Sequence, residues 1–166
     1  MKYTLKELKN AYSYSNPYRF MFFNGHHPAQ DGRMSSSCFS QMKAKLFGDL
    51  TRLNLIMTAT HPSQHKAHGR KVVGFNDEIW KQSRYKIVLE GNLAKFSQNP
   101  DLRKFLLSTC GSILVEASPY DRIWGIGLSA HDVLAKDIYA WKGENLLGFT
   151  LMEVRDILAK NVTILN

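Results

Sequence analysis

A succession of helical segments from residue 39 to beyond residue 99 constrains the fold of this chain more than any other feature. Each segment is separated from the next by residues that end or begin helices. Asn76 is a typical N-cap followed by two acidic residues, and Pro100 fits the first turn of a helix. This punctuation predicts helices over 39–60 (with a break at Gly48-Asp49), from Pro62 to Gly69, over 76–98 and from residue 99 onward.

The flanking sequence adds shorter elements. Apolar spacing predicts a short amphipathic helix over 4–12, and the aromatic run 18–23 is typical of a strand. Turn residues fill 24–37, a β-rich stretch covers 112–117, and a last helix spans about 145–160. The predicted fold class is therefore α+β: a single domain over 1–166, mostly helical with a few short strands. The expected core is Ile79, Ile87, Val88, Leu106, Leu107, Leu114, Leu147, Leu151, Val154 and Leu158.

Composition narrows the class of protein. The 166 residues suffice for one ordinary domain, and a net charge of +8 suits an anionic partner such as a nucleotide or nucleic acid, or serves solubility alone. The only cysteines, Cys38 and Cys110, form no disulfide framework or zinc motif, which favours a reducing, cytoplasmic setting. No signal-peptide core or apolar stretch of membrane-spanning length is present, so we expect no membrane association.

The densest polar and aromatic segment follows the predicted strand at 112–117. Asp121 is suited to binding ribose hydroxyls or to acid–base work, and Arg122 to pairing with a phosphate. Trp124 offers a stacking surface, and Gly125 allows backbone to approach a ligand closely. The alternative interpretation is a tight loop anchored by a buried tryptophan.

Two weaker candidate segments carry asparagine and lysine side chains. Asn92, Lys95 and Asn99 would lie near one helix face, either as ligand contacts or as a solvated face ending in an N-cap. Asn145 follows a glycine turn and is either a ligand contact or a helix cap. Three imidazoles at 61, 65 and 68 share a helical face, but no acidic partner stands nearby in sequence, so we predict no metal site.

Read in order, a series of motifs resembles the YbiA-like family, also called NADAR for NAD and ADP-ribose. The resemblance covers nearly the whole chain from about residue 20. The motifs are the sequences at 22–28, 37–41, 43–49, 69–72, 75–80 with Arg84, and 91–100, then 106–109, 114–128 (Leu-Val-Glu-Ala-Ser-Pro-Tyr-Asp-Arg-Ile-Trp-Gly-Ile-Gly-Leu), 141–148 and 151–155.

The resemblance implies an α+β domain that binds ADP-ribose-like or phosphoribosyl-like ligands and cleaves N-glycosidic bonds. Activities attributed to the family include hydrolysis of phosphorylated riboflavin precursors and removal of ADP-ribose from guanine bases, with no metal or organic cofactor. The family's conserved Asp and Trp fall on Asp121 and Trp124, its upstream Trp on Trp80, and its helix lysine on Lys43.

This chain departs from the family pattern at one point. In the family, a segment that carries an active-centre Glu commonly lies between two of these motifs. In this chain the first of the two motifs ends at Gln41, the second begins at Lys43, and the segment between them is missing. Glycosidic cleavage needs a group that steadies the developing charge or activates water.

Three functional hypotheses follow. The first is an N-glycosidase acting on an ADP-ribosyl or phosphoribosyl compound, for example ADP-ribosylated guanine or an NAD-derived nucleotide. The second is a catalytically impaired binder that sequesters such a nucleotide or reads ADP-ribosylated nucleic acid. The third is an interaction protein on an old enzyme fold. The sequence leaves the oligomeric state open.

Overall fold

The computed structural model describes residues 1–11, 18–23 and 33–163, with backbone alone for residues 23, 33–38, 62 and 161–163. Seven α-helices, two strands and one 3-10 turn lie within this part of the chain. They are α1 (Leu5–Ala11), β1 (Arg19–Phe23), α2 (Arg33–Leu46), α3 (Leu50–Thr58), α4 (Pro62–Arg70), α5 (Asp77–Gln98), α6 (Pro100–Ser108), β2 (Ser112–Glu116), the 3-10 turn (Val133–Lys136) and α7 (Leu146–Thr163).

The predicted α+β class with short strands is confirmed, and so are the main helix boundaries. The break between α2 and α3 falls at Phe47–Asp49, and α5 runs unbroken to Gln98. The turn predicted over 24–37 is wrong for 33–37, because α2 already begins at Arg33. Its first part, 24–32, lies outside the described residues. No helix in the described part is long and apolar enough to cross a membrane.

The chain divides into two compact units, each considered by itself; the assignment of 1–166 to one domain stays a prediction. The first unit comprises Met1–His27 with Phe96–Asn166 and contains a parallel two-stranded sheet. The register pairs Arg19 with Ser112 and runs to Phe23 with Glu116. Helix α7 packs on β2, and α6 packs on α7. This packing buries β2 almost completely, which its apolar Ile-Leu-Val sequence favours.

A buried arginine ties α7 to the approach to β2. The sequence predicts that Arg155 lies beside the apolar face of α7 and pairs with an acidic residue such as Glu116. In the structure its Nη1 donates hydrogen bonds to the carbonyl oxygens of Thr109 and Ser112, at 2.7 and 3.0 Å, and to Thr109 Oγ1 at 2.9 Å. The guanidinium therefore satisfies the backbone of the turn that leads into the strand.

The second unit, Pro28–Lys95, contains a three-helix cluster of α2, α3 and α4. Its core is Ala44, Ile56 and Val72, with Phe47 and Leu53 packed against them. Both connections between these helices are only three residues long, which favours neighbouring helices packed close together. Packing within this cluster determines which side of each of the three helices is buried.

The predicted core is largely confirmed, with one error on α5. Ile79 is wrong: its side chain is 46% exposed, whereas the next residue, Trp80, is buried. The buried stripe of α5 passes through positions 80, 87 and 88, and Ile79 is one residue out of phase with it. The other expected core side chains are buried (Ile87, Val88, Leu106, Leu114, Val154, Leu158) or half-buried (Leu107, Leu147, Leu151).

Asp49 links the start of α3 to the segment after α4. Its Oδ1 accepts from the Arg52 N–H at 2.9 Å, and its Oδ2 accepts from the Val73 N–H at 2.8 Å. These two backbone donors hold the pKa of the carboxyl below its usual value. Replacing Asp49 with alanine is expected to lower the melting temperature at pH 7 by about 3 °C, since the N-cap is lost.

The Asp49 effect should depend on pH. A lowered folded-state pKa gives stability that is present above the unfolded pKa and is lost as pH falls through the folded one. Thermal melts of the wild type and Asp49→Ala should therefore converge in strong acid. Asp101→Ala, which removes a first-turn acid from α6, is the control and should change the melting temperature less. Equal effects of the two substitutions would show that Asp49 acts only through its charge.

Candidate functional site

Lys43 lies among aromatic rings in the second unit. Phe39 and Lys43 are four residues apart on α2 and therefore share one face, and Phe47 follows four residues later, just after the helix ends at Leu46. The Phe39 ring meets Trp80 edge to face with centroids 5.1 Å apart, and Phe47 meets Phe75 at 5.3 Å. We call these five residues the aromatic–lysine cluster. Lys43 and Trp80 were predicted from the sequence, whereas the three phenylalanines were not. The four-residue spacing from Phe39 through Lys43 to Phe47 was an available signal for two of them, and Phe75 had none.

The amine of Lys43 lies over two aromatic faces. Its Nζ is 4.2 Å from the ring centroid of Phe75 and 5.6 Å from that of Trp80. It forms no salt bridge with any described carboxylate. Burial lowers the pKa of Lys43, while the ring faces partly offset this by attracting the ammonium. A lysine in this setting can act as an amine nucleophile or bind a phosphate.

Asp121 and Trp124 lie in the first unit, in the loop that follows β2. Asp121 Oδ1 accepts hydrogen bonds from the N–H groups of Ile123, at 2.9 Å, and Trp124, at 2.8 Å. The Asp121 carbonyl also accepts from Gly127 N–H at 3.2 Å. These bonds fix the loop from 121 to 127, which we call the Asp121 loop. Oδ2 accepts no hydrogen bond from the described residues and so can serve a ligand.

The start of α7 completes the Asp121 loop. The N–H groups of Asn145, Leu146 and Leu147 donate to loop carbonyls, at 3.1 to 3.2 Å. Such groups at a helix start have no partner within the helix and often bind anions. Here the loop backbone satisfies them. The loop is therefore held rigidly, with the Arg122 side chain exposed and Trp124 half-buried.

Gly125 and Gly143 allow two backbone segments to touch. A Cβ added at Gly143 would lie 2.2 Å from the Gly125 carbonyl oxygen, and one at Gly125 would lie 2.9 Å from that of Glu116. Contacts that close are forbidden to real side chains, so glycine is needed at both positions. The close approach expected at Gly125 is thus made to the protein's own backbone; ligand contact there stays a prediction.

Asn145 is fully buried and adopts a positive φ of 55°. Its Oδ1 accepts from the Glu116 N–H at 3.0 Å, and its Nδ2 donates to the Leu114 carbonyl at 2.9 Å. Both ends of the amide are therefore engaged with β2. This accounts for Asn145 as a structural residue, and its predicted ligand contact remains without support from the geometry.

Asn92 and Lys95 lie far along α5 from the aromatic–lysine cluster. At 1.5 Å per residue, the 12 residues from Trp80 to Asn92 correspond to roughly 18 Å of helix. Asn92 Nδ2 donates to the Val88 carbonyl at 2.8 Å, and burial lowers the pKa of Lys95. The structure therefore does not bring this pair to Lys43, and its predicted role in ligand binding stays a prediction.

The histidines at 61, 65 and 68 each have a structural contact. His61 caps α4 and accepts from Ser63 N–H at 3.4 Å, and His65 Nε2 bonds the Ala59 carbonyl at 3.1 Å. His68 Nδ1 lies 3.4 Å from Arg52 Nη1. Within 1–11, 18–23 and 33–163, no group of three or more His, Cys, Asp or Glu is placed to hold a metal ion.

Comparison with known proteins identifies the family. The NADAR domain model matches residues 5–159, nearly the whole chain. The chain belongs to the NADAR domain family. This confirms the resemblance inferred from the motifs.

Individual NADAR relatives agree with this assignment. An N-glycosidase of Acanthamoeba polyphaga mimivirus is 48% identical over 114 residues, which cover 69% of this chain and 67% of the viral protein. The N-glycosidase YbiA of Shigella boydii serotype 4 is 29% identical over 151 residues, 90% of this chain and 88% of that protein. The NMR structure of the E. coli protein YbiA matches with a TM-score of 0.68 and 23% identity over 89% of each chain. That likeness shows a shared fold.

Proposed function

We propose that this NADAR protein is an N-glycosidase that hydrolyses the bond between a base and an ADP-ribosyl or phosphoribosyl group. The observation that carries the proposal is the amine of Lys43, held over Phe75 and Trp80 with a lowered pKa. Two of the relatives bear the name N-glycosidase, which supports the same class of reaction.

The proposed reaction begins with neutral Lys43 attacking the anomeric carbon. A bond forms from Nζ to that carbon while the glycosidic C–N bond breaks, and the base leaves with the electron pair and takes up a proton from water. Opening of the sugar ring gives an imine, and addition of water releases the sugar and restores the amine. The net change is one water consumed for one N-glycosidic bond cleaved. This route needs no carboxylate nucleophile, which suits a chain for which the motif resemblance implies loss of the family's usual Glu.

The Asp121 loop, within the first unit, offers candidate ligand contacts of its own. The Asp121 Oδ2 oxygen is an acceptor for a ribose hydroxyl, and the exposed Arg122 is a partner for a phosphate. Half-buried Trp124 offers a stacking face for a base, whereas Trp80 is buried and its contact with a base stays a prediction. Asn92, Lys95, Gly125 and Asn145 are secondary candidates for ligand contact.

One observation favours a second candidate function, a binder without catalysis. Helix α2 is continuous from Arg33 to Leu46 and passes directly from Gln41 to Lys43, where the family pattern implies a Glu-bearing segment. A protein that keeps the ligand groups but cannot activate water would bind an NAD-derived nucleotide and release it intact.

The test of both is incubation with NAD, ADP-ribose, ribose 5-phosphate and an ADP-ribosylated guanine nucleotide, followed by thermal shift and mass spectrometry. A ligand at 100 times its dissociation constant stabilises the protein by about 2.7 kcal/mol. A cleaved product supports the glycosidase. A stabilising ligand recovered intact supports the binder. If no ligand raises the melting temperature and none is cleaved, both proposed functions are contradicted.

Asp121→Asn separates catalysis from loop structure. The amide oxygen can still accept from Ile123 and Trp124, whereas the charge is lost, so we expect turnover to fall about 10²-fold with an unchanged melting temperature. Asp132→Asn is the matched control, because Asp132 Oδ1 makes the same kind of contact to Leu134 N–H at 2.9 Å. Equal turnover in the wild type and both variants would show that the Asp121 charge has no role in the reaction.

A further inference from the structure

The outward face of α4 is cationic and takes no part in the proposed reaction. Lys66 and Arg70 are one turn apart, Lys71 caps the helix, and all three are exposed. Buried His65 and Gly69 mark the side of the helix that packs inward. None of the three cations forms a salt bridge with a described residue. The face thus presents three charges that the described part of the protein does not neutralise.

The surrounding sequence leaves this charge almost unopposed. The stretch from Phe39 to Asn76 contains six Lys or Arg residues and a single acidic residue, Asp49. The two carboxylate oxygens of Asp49 are already bound to the N–H groups of Arg52 and Val73. A cluster with this composition produces a positive potential that attracts polyanions.

The helix is also held firmly in place. Helix α4 packs on α2 closely enough that a Cβ at Gly69 would lie 2.6 Å from Ser40 Oγ. A hydrogen bond between His65 Nε2 and the Ala59 carbonyl holds the short connection from α3 to α4. Arg52 Nη1 of α3 also lies within hydrogen-bond distance of His68 Nδ1. The cationic face is therefore presented as a fixed surface.

We propose that the α4 face binds the phosphodiester backbone of nucleic acid. The exposed Gln64, whose Oε1 accepts from the N–H groups of Thr60 and His61, adds an Nε2 amide donor of the kind that contacts phosphate and sugar oxygens. A membrane surface fits less well, because Ala67 is the one exposed apolar residue among the described side chains of α4, and membrane helices insert large apolar groups. The proposal goes beyond the glycosidase and does not depend on it.

The test measures the binding of fluorescein-labelled, unmodified 20-base-pair DNA, and of RNA of the same sequence, by fluorescence anisotropy. Three phosphate contacts should weaken duplex binding about 40-fold between 50 mM and 200 mM salt. The triple variant Lys66→Glu, Arg70→Glu, Lys71→Glu should lose at least 10-fold in affinity at 50 mM salt and most of that salt dependence. Because the probe carries no cleavable ADP-ribose, the result is independent of glycosidase activity.

The matched control reverses three exposed lysines of the first unit: Lys104→Glu, Lys136→Glu, Lys160→Glu. It changes the net charge equally and should lose less than 3-fold. Equal loss in the two triple variants, or no loss in either, would overturn the proposal, and so would polyglutamate competing as well as DNA. The neutral variant Lys66→Gln, Arg70→Gln, Lys71→Gln checks that folding is preserved. Comparison of the DNA and RNA arms identifies which nucleic acid is bound.

Discussion

Replacing Lys43 with methionine is expected to lower turnover by roughly 10³-fold or more. Methionine keeps an unbranched side chain among the rings of Phe75 and Trp80 but removes the amine that attacks the anomeric carbon. The melting temperature should change little, because the Lys43 amine forms no salt bridge with a described carboxylate and methionine also packs well on aromatic rings. Lys45→Met is the matched control, since Lys45 is exposed two residues further along α2 and should retain full activity.

Two further measurements test the role of Lys43 directly. The reacting form is the neutral amine, so turnover should rise with pH through the Lys43 pKa, which burial places below the usual lysine value of about 10.4. Sodium cyanoborohydride added during turnover should reduce the imine and leave the sugar attached to Lys43, seen by peptide mass spectrometry. Normal turnover by Lys43→Met, or cleavage with no trapped adduct, would leave Lys43 at most a phosphate contact.

Replacing Asn145 with alanine is expected to lower the free energy of unfolding by about 2–5 kcal/mol. The substitution removes the partners of two buried backbone groups, the Glu116 N–H and the Leu114 carbonyl, each costing about 1–3 kcal/mol when left unsatisfied. Alanine also tolerates the positive φ at this position less well than asparagine does. Urea denaturation followed by circular dichroism measures the loss.

Asn92→Ala is the control for Asn145. The Asn92 amide also bonds a backbone carbonyl, at 2.8 Å, but lies half-buried on α5, where alanine is a better helix former. Its stability should change by less than about 1 kcal/mol. If Asn145→Ala were as stable as the wild type and lost only ligand affinity, the structural assignment would be wrong and Asn145 would be a ligand contact.

Local signals explain why most elements could be predicted. Gly48, Pro62, Asn76 and Pro100 act within one turn of the helix they end or begin, so the sequence alone places the boundaries. Burial was harder to predict. Ile79 has the same apolar character as its neighbours, and only packing decides that the α5 stripe passes through Trp80.

The candidate site was predictable only in part. Motif resemblance led to Lys43, Trp80, Asp121 and Trp124, which the structure places in pairs in two separate units. Asn145 illustrates the limit. Its sequence context suits a cap or a ligand contact equally, and its bonds to Leu114 and Glu116 join residues about 30 positions away, which no local pattern reveals.

The parallel pairing of β1 with β2 has a consequence for synthesis of the chain. Arg19 and Ser112, which open the register, stand 93 residues apart. At about 5–20 residues per second, the ribosome completes β2 roughly 5–20 seconds after β1. Throughout that interval the aromatic strand Arg-Phe-Met-Phe-Phe has no native partner, and an unpaired apolar strand readily joins the strands of other chains. Nascent chains on crowded polysomes are therefore exposed to self-association at their first strand.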